Sequence, residues 1–447
     1  MISSELLKIS ISRNIRILLI LIGSFGVNPF GLAQKREQVI DKVWAGHRVG
    51  FDFHTSEKFQ YACYYNAERD MVIAQRKLDS QEWKRTILPT KIGWDSHNYV
   101  TMAIDKNGFV HVSGNMHNVP MIYFRSQKPE DISTFDKLPM TSENENRATY
   151  PVFFKDQSGE LYFQYRNGGS GDGITYWNKY NSDSKSWKGL FDTPIFDGEG
   201  ESNAYMSNPK LGPDGYFYVV WMWRLTPTAN TNHNLSCIRS KDLVHWENQR
   251  GDAISVPIKW HDNMPTVDPV GPWNGLINTG FQVSWDQENT PYITYHKFDS
   301  KGISQGYVAR WDPASKDWVS YQVSQWKAFT WDLNRRGSLG NAVNISGIKI
   351  VSANELSIHY NHEKYGKGTW FLDKKTLVLK REIQDPAHPK EGLSKLPKSE
   401  QLSSQSKMDN TGKYILEWQT LPSNQDLPRE PPYPQPTELT WRLVSTK

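Results

Sequence analysis

Short runs in which aromatic and aliphatic residues alternate with polar ones recur along the chain, as in half-buried β-strands. Each of five runs includes a turn with Gly or Asn: DKNGFVHVSGN from Asp105, KDQSGELYFQYR from Lys155, GPDGYFYVVWMWR from Gly212, DQENTPYITYHK from Asp286 and SANELSIHYNH from Ser352. Helical periodicity is almost absent between residues 40 and 380. The pattern therefore predicts an all-β fold.

A second repeated unit is a polar turn that ends in tryptophan. It occurs as LDSQEW, SDSKSW, SKDLVHW and PASKDW, ending at Trp83, Trp187, Trp246 and Trp318. In the first unit, Gly108, Gly159 and Gly215 recur at intervals of 51 and 56 residues, a period typical of propeller blades with four short strands. Stacking such blades around an axis buries both faces of each sheet, and closing the ring removes long free edges. We therefore predict a seven-bladed β-propeller in preference to a sandwich or a parallel β-helix.

The first 33 residues have the features of an export signal. Lys8, Arg13 and Arg16 precede the apolar run ILLILIGSFGV, and GLAQ then offers a cleavage site after Ala33. The apolar run is too short to span a membrane, and no cysteine follows it to carry a lipid anchor. We expect an exported protein, periplasmic or secreted.

The end of the chain also departs from the repeat. From about residue 385 the sequence is rich in Pro, Ser and Lys, as in a surface excursion, and strand-like runs return after it. We assign residues 1–33 to the signal peptide and residues 34–384 to a catalytic propeller domain. Residues 385–447 form an extension that includes one or more ring-closing strands, so we expect a single domain.

Composition and charge narrow the possible partners. The formal net charge is +4 and no basic stripe or recognition motif occurs, so nothing indicates nucleic-acid binding. This charge is compatible with an anionic substrate. The 18 Trp and 21 Tyr suit both a β-rich core and surfaces that stack on sugars. Two cysteines, Cys63 and Cys237, exclude a disulfide scaffold; export permits them to pair, but their spacing does not decide it.

Five clusters of polar residues lie at the ends of the expected strands, where propeller loops converge and ligands bind. GWDSHNY contains His97 and SGNMHNVP contains His117. The stretch RATYPVFFKDQSGELYFQYRNGGSGDG contains Tyr150, Tyr165 and Arg166. The last two clusters are ESNAYMSNP with WMWRLTP, which contain Tyr205 and Arg224, and TNHNLSC, which contains His233 and Cys237.

This set of His, Tyr and Arg suits β-elimination on a uronic acid. The clusters lack the paired carboxylates of ordinary glycoside hydrolysis, and neither GxSxG nor HExxH occurs. Elimination needs a cation to neutralise the uronate, a base to take the C5 proton and an acid to protonate O4. Arginine and histidine can neutralise the carboxylate, and a tyrosine whose pKa nearby cations lower can serve as base and then as acid.

Each candidate also has a purely structural interpretation. Tyr150 precedes Pro151 and begins a strand, Arg166 and Arg224 are able to bridge blades, and His97 and His117 are able to lie hydrogen-bonded in the core. His233 and Cys237, four residues apart, match two ligands of a zinc site, with His261 or His296 as further candidates, or a buried polar patch. His47, in KVWAGHRVGF, lies far in sequence from the others.

Residues 40–340 resemble the BNR-4 type propeller family. The resemblance rests on VWAGHRVGF, GWDSHNYVTMAIDKNGFVHVSGNMHNVPMIYFRS, TYPVFF, YRNGGSGDG, NPKLGPDGYFYVVWMWR, TNHNLS, RSKDLVHWE and YHKFD. That family includes ulvan lyases with a seven-bladed propeller and related α-L-rhamnosidases that cut rhamnose linked to glucuronic acid. The resemblance implies the same fold and a glycan substrate.

The lyases and the rhamnosidases imply different site residues. The lyases imply that His97 and His117 are the paired histidines, Tyr150 the catalytic tyrosine and Arg166 the residue that neutralises the carboxylate. They also imply Tyr205 and Arg224 as substrate contacts, and a structural zinc that draws attention to His233 and Cys237. The rhamnosidases imply an essential histidine on the opposite face, at the position of His47.

Three functions are therefore open from the sequence. The first is a lyase that cleaves rhamnose–uronate glycans such as ulvan by β-elimination. The second is an exo-acting α-L-rhamnosidase that uses His47, and the third is a propeller that binds glycans without cleaving them. We expect a monomer that needs no cofactor for its chemistry, with Tyr165, Tyr205 and Arg224 as substrate-binding residues.

Overall fold

The computed structural model describes residues 37–262, 266–278, 280–335, 337–385 and 401–444. The expected signal peptide and the middle of the expected surface excursion lie outside the described residues. Within these ranges the only helical element is the 3₁₀ turn Ala229–Thr231, and no described helix is long and apolar enough to cross a membrane. The described strands form seven sheets, which are the blades of a β-propeller.

The strands follow the blades in chain order. The described chain begins with β1 (Glu37–Val43), which pairs along its length with the last described strand. Blade 1 contains β2 (Asp52–Thr55), β3 (Phe59–Tyr65), β4 (Asp70–Lys77) and β5 (Lys84–Lys91). Blade 2 contains β6 (Val100–Ile104), β7 (Val110–Gly114), β9 (Tyr123–Lys128) and β10 (Asp131–Lys137), and β8 (His117–Val119) leaves it to pair with blade 3.

Blades 3 and 4 carry extra short strands. Blade 3 contains β11 (Ala148–Lys155), β12 (Leu161–Asn167), β13 (Ile174–Asn181), β14 (Ser186–Gly189) and β15 (Phe196–Asp197), with β22 (Ile258–Lys259) paired to β15. Blade 4 contains β16 (Asn203–Met206), β17 (Lys210–Leu211), β18 (Phe217–Arg224), β19 (Asn232–Ser240), β20 (Trp246–Glu247), β21 (Ala253–Ile254) and β23 (Thr266–Asp268).

The last three blades are regular. Blade 5 contains β24 (Gln282–Trp285), β25 (Pro291–Phe298), β26 (Ser304–Asp312) and β27 (Asp317–Gln322). Blade 6 contains β28 (Val343–Ser352), β29 (Glu355–His362), β30 (Gly366–Asp373) and β31 (Leu379–Gln384). Blade 7 contains β32 (Ser403–Met408), β33 (Tyr414–Thr420), β34 (Thr437–Leu443) and β1.

Blade 7 closes the ring with strands from both ends of the described chain. β1 pairs antiparallel with β34, with Gln38 opposite Trp441 and Lys42 opposite Glu438. The first strand of this blade, β32, contacts β2 of blade 1. The C-terminal segment thus supplies three of the four strands of a blade, and the N-terminal strand holds its outer edge.

The turns between first and second strands are held by aspartates. Oδ1 of Asp105, Asp156 and Asp286 each accepts hydrogen bonds from the backbone N–H groups two and four residues further on, at 2.9–3.0 Å. Gly108 and Gly159 complete two of these turns at φ 86° and 81°, where a side chain is disfavoured. These turns reverse the chain at one end of the ring, so the second strands of all blades end at the other.

Both cysteines lie in the hydrophobic core as free thiols. Cys63 packs in the cluster that contains Trp441, whereas Cys237 packs in a separate cluster with Val220 and Leu235. The possible disulfide between them is therefore wrong, because each cysteine lies in the core of a different blade.

Candidate functional site

The hairpin of β11 and β12 places Tyr150 and Arg166 at the end of the ring where second strands finish. Thr149 pairs with Arg166, and the register shifts between Thr149 and Val152. Tyr150 lies within this irregularity, half-buried, with φ at 58°. This left-handed conformation is uncommon for a bulky residue, and such strain is concentrated at functional sites.

Arg166 is buried against both tyrosines of the site. Its Nε donates to the carbonyl of Gly168 at 3.0 Å, and its guanidinium carbon lies 4.7 Å from the ring centroid of Tyr150. Nη1 donates to the hydroxyl of Tyr205 at 3.3 Å. Nη2 is buried and has no partner among the described residues. An unpaired buried donor on a cation is costly, and a carboxylate is the group that would best satisfy it.

Tyr205 and Arg224 come from neighbouring strands of blade 4. Asn203 in β16 pairs with Arg224 in β18, which brings the guanidinium carbon to 3.8 Å from the ring centroid of Tyr205. Arg224 is held by Asn232 at 2.6 Å and Asn278 at 2.8 Å. Tyr205 thus has one arginine, Arg224, over the face of its ring and another, Arg166, bonded to its hydroxyl.

The two tyrosines have pKa values shifted in opposite directions. Burial raises the pKa of Tyr150 to about 12, and the negative charge on an ionised Tyr205 would add to this effect. Burial also acts to raise the pKa of Tyr205, but Arg224 and Arg166, with a hydrogen bond to Ser170 (2.7 Å between oxygens), lower it below its ordinary value. Their rings lie 6.2 Å apart. Tyr205 therefore releases its proton more readily than Tyr150.

His97 and His117 form a pair that is joined by Asp95. Their ring centroids are 4.2 Å apart, and Nδ1 of His97 lies 2.7 Å from one carboxylate oxygen of Asp95. Nδ1 of His117 bonds the other oxygen. Burial acts to raise the pKa of Asp95, but the hydrogen bonds from His117 and His97 hold it well below its usual range. The His97 ring also lies 5.8 Å from that of Tyr150, which joins the pair to the tyrosine–arginine cluster.

Asp426 reaches this site from the loop between β33 and β34. Its carboxylate accepts hydrogen bonds from the backbone N–H of Ser96 at 3.1 Å and of Ser338 at 2.9 Å, and Oδ2 lies 3.4 Å from Nδ1 of His97. Neither Asp95 nor Asp426 was singled out from the sequence. Asp95 stands two residues before His97 in a motif already noted, whereas Asp426 is 330 residues from Ser96 and gives no local signal.

Two cavities of about 160 and 220 Å³ share Tyr150, Tyr205 and Asn278 in their walls. Arg166 lines the smaller cavity, and the larger is lined by His97 and Arg224 together with residues 335 and 337–339. The structure thus brings together His97, His117, Tyr150, Arg166, Tyr205 and Arg224, six of the residues chosen from the sequence.

Tyr165 and His47 lie differently from what was expected. Tyr165 also borders the smaller cavity, but it is 1% exposed and its ring stacks on Tyr176 in the core. His47 has no exposed surface, and its Nδ1 accepts the indole N–H of Trp44 at 3.0 Å. Burial lowers its pKa to about 4, against the carboxylates of Asp426 and Asp95, which act to raise it. His47 therefore lies beside the histidine pair instead of on the opposite face.

His233 and Cys237 do not fit a shared zinc ion. The register of β18 and β19 shifts between Trp221 and Trp223, and Asn234 has φ 53°, so the alternation of side chains is interrupted between the two. The centroid of the His233 ring lies 4.6 Å from that of Trp260, whereas Cys237 packs with Val220 and Leu235 in a different hydrophobic cluster. Of the described His, Cys, Asp and Glu residues, only Asp95, His97 and His117 form a group close enough to hold a metal ion.

Comparison with known proteins places this site in context. Residues 59–326 match the BNR repeat-containing family, and no curated protein matched. The chain is similar to a structure described as a PL25 ulvan lyase, with 12% identity, a TM-score of 0.60, and coverage of 90% of this chain and 95% of that one. The same lyase bound to -[GlcA(1-4)Rha3S]- gives 12%, 0.59 and the same coverage. The polysaccharide lyase Uly1 gives 14%, 0.58 and 94% of each chain. At these identities the likeness concerns the fold.

Proposed function

The chain belongs to the BNR repeat-containing family, and from the site on its propeller we propose that it is a polysaccharide lyase that cleaves rhamnose–uronate glycans by β-elimination. The observation that carries this proposal is the cluster of Tyr150, Tyr205, Arg166 and Arg224, with the buried Nη2 of Arg166 unpaired. The similar ulvan lyase structure with bound -[GlcA(1-4)Rha3S]- supports this substrate class.

Neutralisation of the substrate carboxylate is the first requirement. The C5 proton of a uronate is weakly acidic while the carboxylate carries its full charge. Arg166 presents Nη2 as a charge-assisted donor that no described residue occupies. We assign it to the carboxylate. The histidine pair, with both Nδ1 atoms held by Asp95, keeps its Nε2 atoms for the sugar.

Proton transfer follows from the opposite electrostatics of the two tyrosines. Pairs of titratable groups with pKa values pushed apart define a base and an acid. We assign removal of the C5 proton to Tyr205, in its phenolate form, and protonation of O4 to Tyr150. The C5–H electrons form the C4–C5 double bond as the C4–O4 bond breaks. This division modifies the hypothesis from the sequence, in which Tyr150 performs both steps.

The experiment that tests this function follows ultraviolet absorbance of the conjugated double bond in ulvan and in rhamnose-capped arabinogalactan. A rise with ulvan is the expected result. Free rhamnose without a rise would contradict elimination and favour the rhamnosidase, and unchanged polymer length would favour a glycan-binding propeller. His47 has no exposed surface and, unlike Arg166, lines neither of the two cavities, which argues against its direct contact with a substrate.

Two substitutions separate the proposed roles. Tyr150→Phe and Tyr205→Phe each remove one hydroxyl and keep the ring, and each should reduce turnover by roughly 10²–10⁴-fold while ulvan binding persists. If Tyr205→Phe kept full turnover and Tyr150→Phe had none, both the removal of the C5 proton and the protonation of O4 would be assigned to Tyr150. Full turnover in both would overturn the tyrosine chemistry.

We also propose that the protein is exported and acts as a monomer.

A further inference from the structure

Trp273 is a tryptophan on the surface at the end of the ring that carries the site. It is 65% exposed, more than any other large hydrophobic side chain among the described residues. Its indole ring neither stacks on nor makes an edge contact with any other described aromatic ring. A single exposed apolar residue needs no explanation by itself. The exposure of Trp273 is notable because its backbone conformation is also unusual.

The backbone at Trp273 adopts φ 63°. This left-handed region has a steric cost for a bulky residue, which Gly or Asn would largely avoid. Because the ring is largely exposed, its packing in the fold offers little to offset this strain, which directs attention to a ligand.

The loop that carries Trp273 is held rigidly at both sides. The backbone N–H of Trp273 donates to the carbonyl of Asn230 at 2.6 Å, and the carbonyl of Asn274 accepts from the N–H of Phe298 at 2.8 Å. Further along, the carbonyl of Leu276 accepts from Nδ2 of Asn232 at 3.0 Å. These bonds fix the backbone that carries the indole, so a ligand that stacks on it need order only the two side-chain torsions of Trp273.

Short connections link this loop to the proposed active site. Asn230, which accepts the bond from Trp273, directly follows Ala229 in the wall of the larger cavity. Asn278, five residues after Trp273, holds Arg224 and lines both cavities. Trp273 itself lines neither cavity, but its backbone is bonded to the residue next to the wall of the larger one.

We propose that Trp273 is a stacking platform for a pyranose ring of the polysaccharide, at a binding subsite outside the cleavage cavity. The inference rests on the proposed function and extends it, because it assigns a second sugar-binding position to the same substrate. An indole face exposed to water suits the apolar C–H face of a sugar, and a polymer that enters the cavity must pass over its rim.

Affinity electrophoresis through gels that contain ulvan tests this proposal without turnover as the readout. The variants are made in the Tyr150→Phe background, so that the polymer stays intact. Trp273→Ala should weaken binding about tenfold, taking the stacking of a base on an aromatic side chain as a guide. Trp273→Phe should keep most of the affinity. Ile87→Ala, at a residue 60% exposed on β5, is the matched surface control and should bind as the parent does.

The outcomes distinguish this proposal from the proposed function. A parent that binds ulvan and a Trp273→Ala variant that binds equally well would overturn the platform alone. A parent that binds no ulvan would overturn the substrate class and the platform together. Trp273→Leu should bind as weakly as Trp273→Ala, because it lacks a ring. Binding by Trp273→Leu equal to that of Trp273→Phe would overturn stacking as the cause.

Discussion

Replacement of Arg224 by Gln should raise the pKa of Tyr205 and shift the pH dependence of elimination. The guanidinium carbon lies 3.8 Å from the Tyr205 ring centroid, and Arg224 is the strongest of the groups that lower this pKa. Its Nε and Nη2 already bond Asn232 and Asn278. In the proposed reaction, its main contribution is therefore the electrostatic stabilisation of the Tyr205 phenolate.

The size of the effect follows from Coulomb's law. For a guanidinium and a phenolate oxygen about 5 Å apart, an effective dielectric constant of about 20 gives an attraction of roughly 3 kcal/mol. This energy corresponds to a change of about one hundredfold in the ionisation equilibrium of Tyr205. At a pH where the wild-type base is partly ionised, kcat/KM should fall by a similar factor and recover as the pH is raised.

Two assays measure this change independently. Ultraviolet difference titration follows tyrosinate formation directly, and Tyr205→Phe identifies which part of the signal belongs to Tyr205. The pH profile of kcat/KM with ulvan follows the same group during turnover. Arg239→Gln is the matched control, because Arg239 lies 4.3 Å from the Tyr216 ring centroid at the outer part of the same blade. An equal loss of kcat/KM at every pH, without displacement of the profile, would refute the assignment of Tyr205 as the base.

Three further results are expected. Asp95→Asn should reduce kcat/KM by roughly 10²–10⁴-fold, because both histidines lose the carboxylate that orients them. Because the pKa of Asp95 is depressed in the folded protein, its ionised carboxylate stabilises the fold above about pH 4, and this stabilisation is lost at lower pH. The difference in Tm between wild type and Asp95→Asn should therefore become smaller in acid. A difference in Tm that does not change with pH would contradict this. Asp426→Ala should lower the free energy of unfolding, measured by denaturant titration, by about 2–4 kcal/mol. It should also lower kcat/KM, measured by ulvan turnover. Unchanged turnover would contradict the contact between Asp426 and His97. Alkylation of the unfolded, unreduced protein should label Cys63 and Cys237, and mass spectrometry that finds them linked would contradict their separate burial.

The sequence was sufficient for the fold because the propeller is built from local signals. Alternating strands and Asp- and Gly-containing turns recur at blade spacing. The turns form through hydrogen bonds from backbone N–H groups to an aspartate side chain within five residues, as at Asp105 and Asp156. The pairing of Tyr150 with Arg166 was also accessible, because both lie in a single hairpin.

The parts of the site that were missed depend on contacts between distant segments. His47 was assigned to the opposite face from a family resemblance, yet its surroundings are set by Trp94 and by the carboxylates of Asp95 and Asp426. His233 and Cys237 have the spacing of metal ligands, but the irregularity at Asn234 sends them to different clusters. A break of one residue in strand alternation cannot be recognised from residue types alone.

Closure of the ring and assembly of the site depend on the same segment. β33 and β34 belong to blade 7, and the loop between them carries Asp426 to Ser96 and His97, which follow blade 1, and to Ser338, which precedes blade 6. The carboxylate thus contacts the histidine pair only when blade 7 is in place between its two neighbours. Since β1 completes that blade by pairing with β34, the first and last described strands both belong to the blade that carries the second carboxylate partner of His97. A propeller that closes in this way links the completion of its ring to the geometry of its candidate active site.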